Sequence, residues 1–174
     1  MNEISNKLYN KSHYIGNFIN LSKSFDTIDH ALLHQQFDYY GIHGISLDWF
    51  TNYLSIRKQF VNLNGIDSFP LTILFGVPHG SIHGPLLFLI YISDIVFTSK
   101  LTKFIIFADN DNIIFKYKNV NTPVSTINTE LIKIYSWFKL NKLSLNINKT
   151  NFIHFQSSNS YRNEDLAIDI FIDK

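Results

Sequence analysis

The chain has no cysteine among its 174 residues, which excludes disulfide staples and thiolate zinc sites. It also lacks an excess of charge of either sign. Fifteen Lys and Arg against 14 Asp and Glu leave a formal net charge of +1, so any nucleic-acid contact must come from local patches. The N-terminal "MNEISNKLYNKSHYIGNFIN" has neither an apolar signal-peptide core nor a small-residue cleavage pattern. The chain is therefore expected to be intracellular, in cytoplasm or nucleus, and not secreted. No apolar run is long enough to span a bilayer. The most apolar, "PLLFLIYISDIVF", is short and carries Asp94, so it reads as a buried helix of a soluble protein without a membrane partner. Internal repeats, low-complexity linkers and signs of a second domain are absent as well.

What remains is apolar and aromatic. With 45% hydrophobic and 16% aromatic residues, the chain can build one packed domain. "HYIGNFINL" reads as a strand, and Asp26 to Asp29 offer capping side chains to a helix over "HALLHQQFDYY" that Gly41 ends. Leu33, Phe37 and Tyr40 fall at helical spacing. A second helix, "SLDWFTNYL", has Ser46 as its expected cap and Leu47, Phe50 and Leu54 on one face. Asn64-Gly65 marks a hairpin, with Pro70 restricting its second run to an edge or strand start. After the loop "GVPHGSIHG", the apolar helix begins with Pro85 in its first turn. "KFIIFA" and "NIIFKY" are strands around Asp109 to Asp111. Thr122 and Pro123 open an amphipathic helix carrying Val124, Ile127, Leu131, Ile134 and Phe138, and "TNFIHF" is a further strand. This order predicts an α+β fold: a split βαββαβ (ferredoxin-like) antiparallel sheet with helices on one face and an inserted β-hairpin.

The stretches "NLSKSFDTIDHALL", "YGIHGISLDWFTNYLSIRKQFV", "GVPHGSIHGPLLFLIYISDI", "FADNDN" and "WFKLNKLSLNINKT" resemble, in order and spacing, the palm of reverse transcriptases from non-LTR retrotransposons of the jockey and LINE type. The resemblance spans roughly Asn17 to Phe155. It implies a polymerase palm over residues 13–156, with 1–12 and 157–174 as flanking segments and the fingers and thumb largely missing. It further implies RNA-templated DNA synthesis by two-metal nucleotidyl transfer, with an RNA template, a DNA primer and dNTP as partners and Mg2+, or Mn2+, as cofactor. Hard divalent cations want charged oxygen ligands. The family supplies three Asp, two of which fall here at Asn20 and Asn110. Only Asp109 matches, with Asp111 as an alternative ligand one residue out of place, whereas Asp26 and Asp29 read as helix caps. Asn keeps the shape of Asp but removes its charge, so the expected product is an inactive, partly degenerate copy. A non-catalytic nucleic-acid-binding remnant and a non-functional product are the other readings.

By the same resemblance Phe25 lines the nucleotide pocket as a steric gate, although a core Phe at a strand-to-helix corner is compatible with it. Lys23 meets template or is simply solvated. Gly76, Pro78, His79, Gly80 and Ser81 form a loop whose glycines let backbone approach template and nucleotide closely. His79 stands for the family's Gln, and His83 for an apolar residue. Neither has a partner at metal-ligand spacing. Lys149, in Asn-x-x-Lys-Thr, is implied to assist pyrophosphate departure. With Lys133, Lys139 and Lys142 it makes a loose basic tract around Trp137 and Phe138, read either as phosphate contacts or as a solvated helix face.

Overall fold

The computed structural model describes residues 13–55, 57–78, 80–106, 110–117 and 124–155. In chain order the elements are β1 (His13–Ser22), α1 (His30–Tyr39), α2 (Ile45–Leu54), β2 (Lys58–Gln59), β3 (Asn62–Leu63), β4 (Ile66–Asp67), β5 (Leu71–Thr72), α3 (His83–Ile92), β6 (Thr102–Ile105), β7 (Asn110–Tyr117), α4 (Val124–Leu140), β8 (Ser144–Leu145) and β9 (Asn151–Phe155), with 3-10 turns at Ser93–Phe97 and Ile147–Lys149. They fall into two compact units, one from Met1–Ser22, Asp94–Leu140 and Ser144–Lys174, the other from Lys23–Ser93 and Asn141–Leu143.

The first unit is an antiparallel sheet organised on β1. Along one edge β1 pairs with β7, from His13 opposite Tyr117 to Asn20 opposite Asn110. Along the other it pairs with β9, from Tyr14 opposite Phe155 to Phe18 opposite Asn151, and its last two residues pair with β8. β6 adds outside β7, giving the spatial order β6-β7-β1-β9. Side chains alternate across a strand. Asn17, Ile19 and Leu21 are accordingly buried on one face of β1, while Phe18 is exposed and Asn20 half-buried on the other. α4 buries the stripe Ile127, Leu131, Ile134 and Phe138, the spacing expected of an amphipathic helix. The caps Thr122 and Pro123 and the tail from Gln156 lie outside the described residues.

The second unit is helical, with a hairpin. α1 packs on α3 and on α2, burying Leu33 and Phe37 from α1, Leu54 from α2 and Leu87, Phe88, Tyr91 and Ile92 from α3. Phe37 stacks on Phe50 with ring centroids 4.9 Å apart. α1 ends as its Gly dictates: Gly41 adopts φ +73, its N–H donates to Asp38 O, and Ile42 N–H donates to Phe37 O. Tyr40 differs from its helical spacing. As the C-cap it is exposed, and its hydroxyl accepts from Ser93 Oγ at 2.7 Å. Ser46 does not cap α2 either. Gly44 at φ +59 takes that position without a side-chain bond, so the cap lies two residues earlier and α2 begins at Ile45. α3 is buried on one face only, since Leu86 and Leu89 are exposed. At the hairpin tip Asn64 and Gly65 both have positive φ, the backbone that a two-residue turn between β3 and β4 requires. The hairpin carries exposed apolar side chains, among them Leu63, Ile66 and Phe69.

Phe37 has no exposed surface, so Phe37→Ala is expected to cost about 3–5 kcal/mol in urea unfolding through the cavity it leaves. Phe69, 91% exposed, should change stability by no more than about 0.5 kcal/mol when truncated to Ala.

Candidate active site

In the first unit the pairing of β1 with β7 sets Asn20 directly across from Asn110, and Ile19 across from Asp111. On the other side of Asn20 runs the turn of the Asn-x-x-Lys-Thr segment. Asn20 O accepts from Asn146 N at 2.8 Å, and Asn20 N donates to Thr150 Oγ1 at 3.4 Å. The turn is closed on Asn146, whose carbonyl accepts from Lys149 N, Thr150 N and Thr150 Oγ1. Lys149, at the end of this turn, is exposed. Asn20, Asn110 and the Lys149 turn are thus gathered at one end of β1. Asp109 lies outside the described residues, as does His79.

In the second unit the loop after the hairpin is seated on the turn that precedes α1. Gly76 N donates to Ile28 O and Val77 N to Phe25 O, each at 2.8 Å, and His30 Nε2 lies 2.7 Å from Gly76 O. Gly76 has φ +83, and a Cβ there would stand 2.8 Å from the carbonyl oxygens of Phe25 and Asp26. The close approach that Gly76 permits is therefore to the protein's own backbone. Gly80, at φ +73 with open space around it, keeps the turn without that crowding. Ser81 is tied inward: its hydroxyl donates to Pro78 O at 2.8 Å and accepts from Gly84 N at 3.0 Å, pinning the loop to the start of α3. Phe25, Pro78, Gly80, Ser81, Ile82, Gly84 and Pro85 line a cavity of about 340 Å³. Phe25 lines this cavity, and its ring packs on Phe88 at 5.2 Å. Ile82, Gly84 and Pro85 were not among the candidate residues, although they continue the same Gly-rich segment.

A sequence profile described as "Reverse transcriptase (RNA-dependent DNA polymerase)" matches residues 3–164. The chain belongs to the reverse transcriptase family. No curated protein sequence matches it. Among solved structures, apo telomerase from Candida tropicalis, truncated from its C-terminal domain, has a TM-score of 0.59 at 14% identity and matches 92% of this chain. This chain spans 36% of the length of that one. At such identity the likeness is one of fold: mixed helices and antiparallel sheet.

The other motif residues of this reverse transcriptase domain divide by their partners. Asp29 is the N-cap of α1, its Oδ1 accepting from Ala31 N and Leu32 N at 2.9 and 3.0 Å. Its Oδ2 accepts from Lys142 Nζ, and Tyr91 hydroxyl, which donates to Asn141 O at 2.7 Å, accepts from Asp29 N. Lys133 pairs with Glu130 at 2.6 Å. Two of the four lysines of the basic tract, Lys133 and Lys142, are therefore neutralised by protein carboxylates, and Lys139 and Lys149 remain exposed. Lys23 is exposed on a positive-φ turn, its carbonyl accepting from Asp26 N and Thr27 Oγ1. Among the described residues no group of three His, Asp or Glu gathers, and no helix is long and apolar enough to cross a membrane.

The Lys142 hydrogen bond, with the backbone donors of Leu32 and Ala31 behind it, holds the Asp29 carboxyl below its ordinary value of 3.8 against an opposing effect of burial. A depressed carboxylate contributes stability fully above its unfolded value and loses it as pH falls through the folded value. Stability of the parent chain should therefore drop on acidification below about pH 4. Asp29→Asn should be less stable at neutral pH and show a flatter acid limb. Urea midpoints across this range check it, and parallel profiles would refute the assignment.

Proposed function

We propose that residues 13–156 are the palm of a non-LTR reverse transcriptase of the jockey and LINE type, built for RNA-templated extension of a DNA primer but deprived of two-metal catalysis. The strand order β6-β7-β1-β9, all antiparallel, supports the split βαββαβ reading of the palm. The observation that carries the loss of catalysis is the pairing of Asn20 with Asn110. Two Mg2+ ions at that end of β1 would need charged oxygens from both strands. Two neutral amides do not fit that need. Each presents one carbonyl oxygen without formal charge and one amide that repels a cation. Asp109 alone leaves the cationic charge uncompensated, and Asp111, paired with Ile19, is offset by one register position.

What the remaining residues do requires no metal. In the second unit Phe25, Pro78, Gly80 and Ser81 wall a cavity where a sugar and base would be held, with His79 in the same loop. In the first unit the exposed Lys149 offers a cation for phosphate. The intact cavity favours, as a second reading, a non-catalytic nucleic-acid-binding module.

The test is primer extension on an RNA template with Mg2+ and then Mn2+, comparing the chain with the Asn20→Asp, Asn110→Asp double variant after both are shown to fold. Metal assistance is worth several kcal/mol, and about 1.4 kcal/mol is tenfold in rate. The double variant should therefore exceed the parent by at least about 10³-fold. Extension by the parent at a comparable rate would refute the inactive-palm reading.

A further inference from the structure

α2 carries two stripes. Leu47, Phe50 and Leu54 face inward, with Leu54 buried and Phe50 stacked on Phe37. Trp49 and Tyr53, four residues apart and so on one face of the helix, form a second stripe. Their rings stack at 5.3 Å with only 8° between planes. The Arg57 guanidinium carbon lies 5.2 Å from the centroid of the Tyr53 ring, and the His83 ring stands 5.0 Å from Trp49 and 5.5 Å from Tyr53. Trp49 nonetheless remains 48% exposed. Asp48 sits one residue away, and neighbours one apart do not share a helix face.

We infer that Trp49, Tyr53, Arg57 and His83 form a surface that binds single-stranded nucleic acid through its bases. A half-exposed indole already backed by a parallel ring is a rigid platform for another flat π-system, and stacking of this kind accepts any base. A guanidinium on the same stack and the exposed Lys58 beside it supply donors and positive charge for the phosphates that accompany stacked bases. This pairing of cation with aromatic ring favours a polyanion over a proline-rich peptide, which would use the rings alone. The surface adjoins the cavity of the same unit, because Ile82 and Gly84, on either side of His83, line it. The inference goes beyond the proposed function, since it needs neither the cavity nor a metal ion.

The experiment is a titration of the full chain in the presence of EDTA, in a Trp137→Phe background so that Trp49 is the sole tryptophan emitter. The probe is oligothymidylate about eight nucleotides long. Trp49 emission should be quenched. By anisotropy of a labelled oligomer, Trp49→Leu should weaken binding on the order of tenfold to a hundredfold. Tyr53→Leu, which removes the ring backing Trp49, should also weaken binding, by a smaller factor than Trp49→Leu. Arg57→Gln should lower the salt dependence by about one unit of slope. If Trp49→Leu melts early, Trp49→Phe replaces it, with a smaller loss of affinity expected. Equal binding of an abasic oligomer, undiminished binding by the folded Trp49 variant, or quenching by a proline-rich peptide but not by the oligomer would each overturn the inference.

Discussion

The antiparallel register of β1 on β7 is the constraint from which the first unit follows. Like β7, β1 is paired along both edges, and its side chains alternate between a buried face and an open one. A slip of one residue would carry Asn17, Ile19 and Leu21 to the open face and bring Phe18 and Asn20 inward. Burial of Ile19 and Leu21 therefore decides which residue of β7 meets Asn20. The site inherits its geometry from a hydrophobic choice made elsewhere on the same strand.

The same ladder is indifferent to the charge carried at Asn20 and Asn110. Asn fills nearly the same volume as Asp, and a backbone ladder does not depend on whether the side chain ends in a carboxylate or an amide. The Asn20 backbone is bonded to the Asn146–Thr150 turn, its carbonyl accepting from Asn146 N and its N–H donating to Thr150 Oγ1. The same separation of fold from identity is visible in the match to telomerase, at 14% identity and a TM-score of 0.59.

The second unit is ordered around the turn that precedes α1. Three unlike groups converge on it: Gly76 from the loop after the hairpin, Tyr91 from α3 and Lys142 from the turn after α4. Asp29 serves the helix end with one oxygen and Lys142 with the other, and Lys142 in turn lies over the Phe75 ring at 6.0 Å. Gly76 is held against backbone that a methyl group would strike. In the cavity wall, Phe25 accepts from Val77 N through its carbonyl and packs its ring on Phe88.

Short-range signals were enough for much of this architecture. The positive-φ turn at Asn64-Gly65, the Gly41 stop, the Asp29 cap and the buried stripe of α4 all rest on interactions within a few residues, which a linear string records. The motif order likewise identified the family. Where a local signal had two outlets, the sequence misled: Ser46 yielded its cap position to Gly44, and Tyr40 turned outward to Ser93. Only the tertiary structure decided that Asn20 faces Asn110, that Lys142 belongs to Asp29 rather than to a basic stripe, and that Trp49 and Tyr53 stack beneath His83. Each of these joins residues far apart in the chain, and such meetings are set by strand register and helix packing, which balance the burial of many side chains at once.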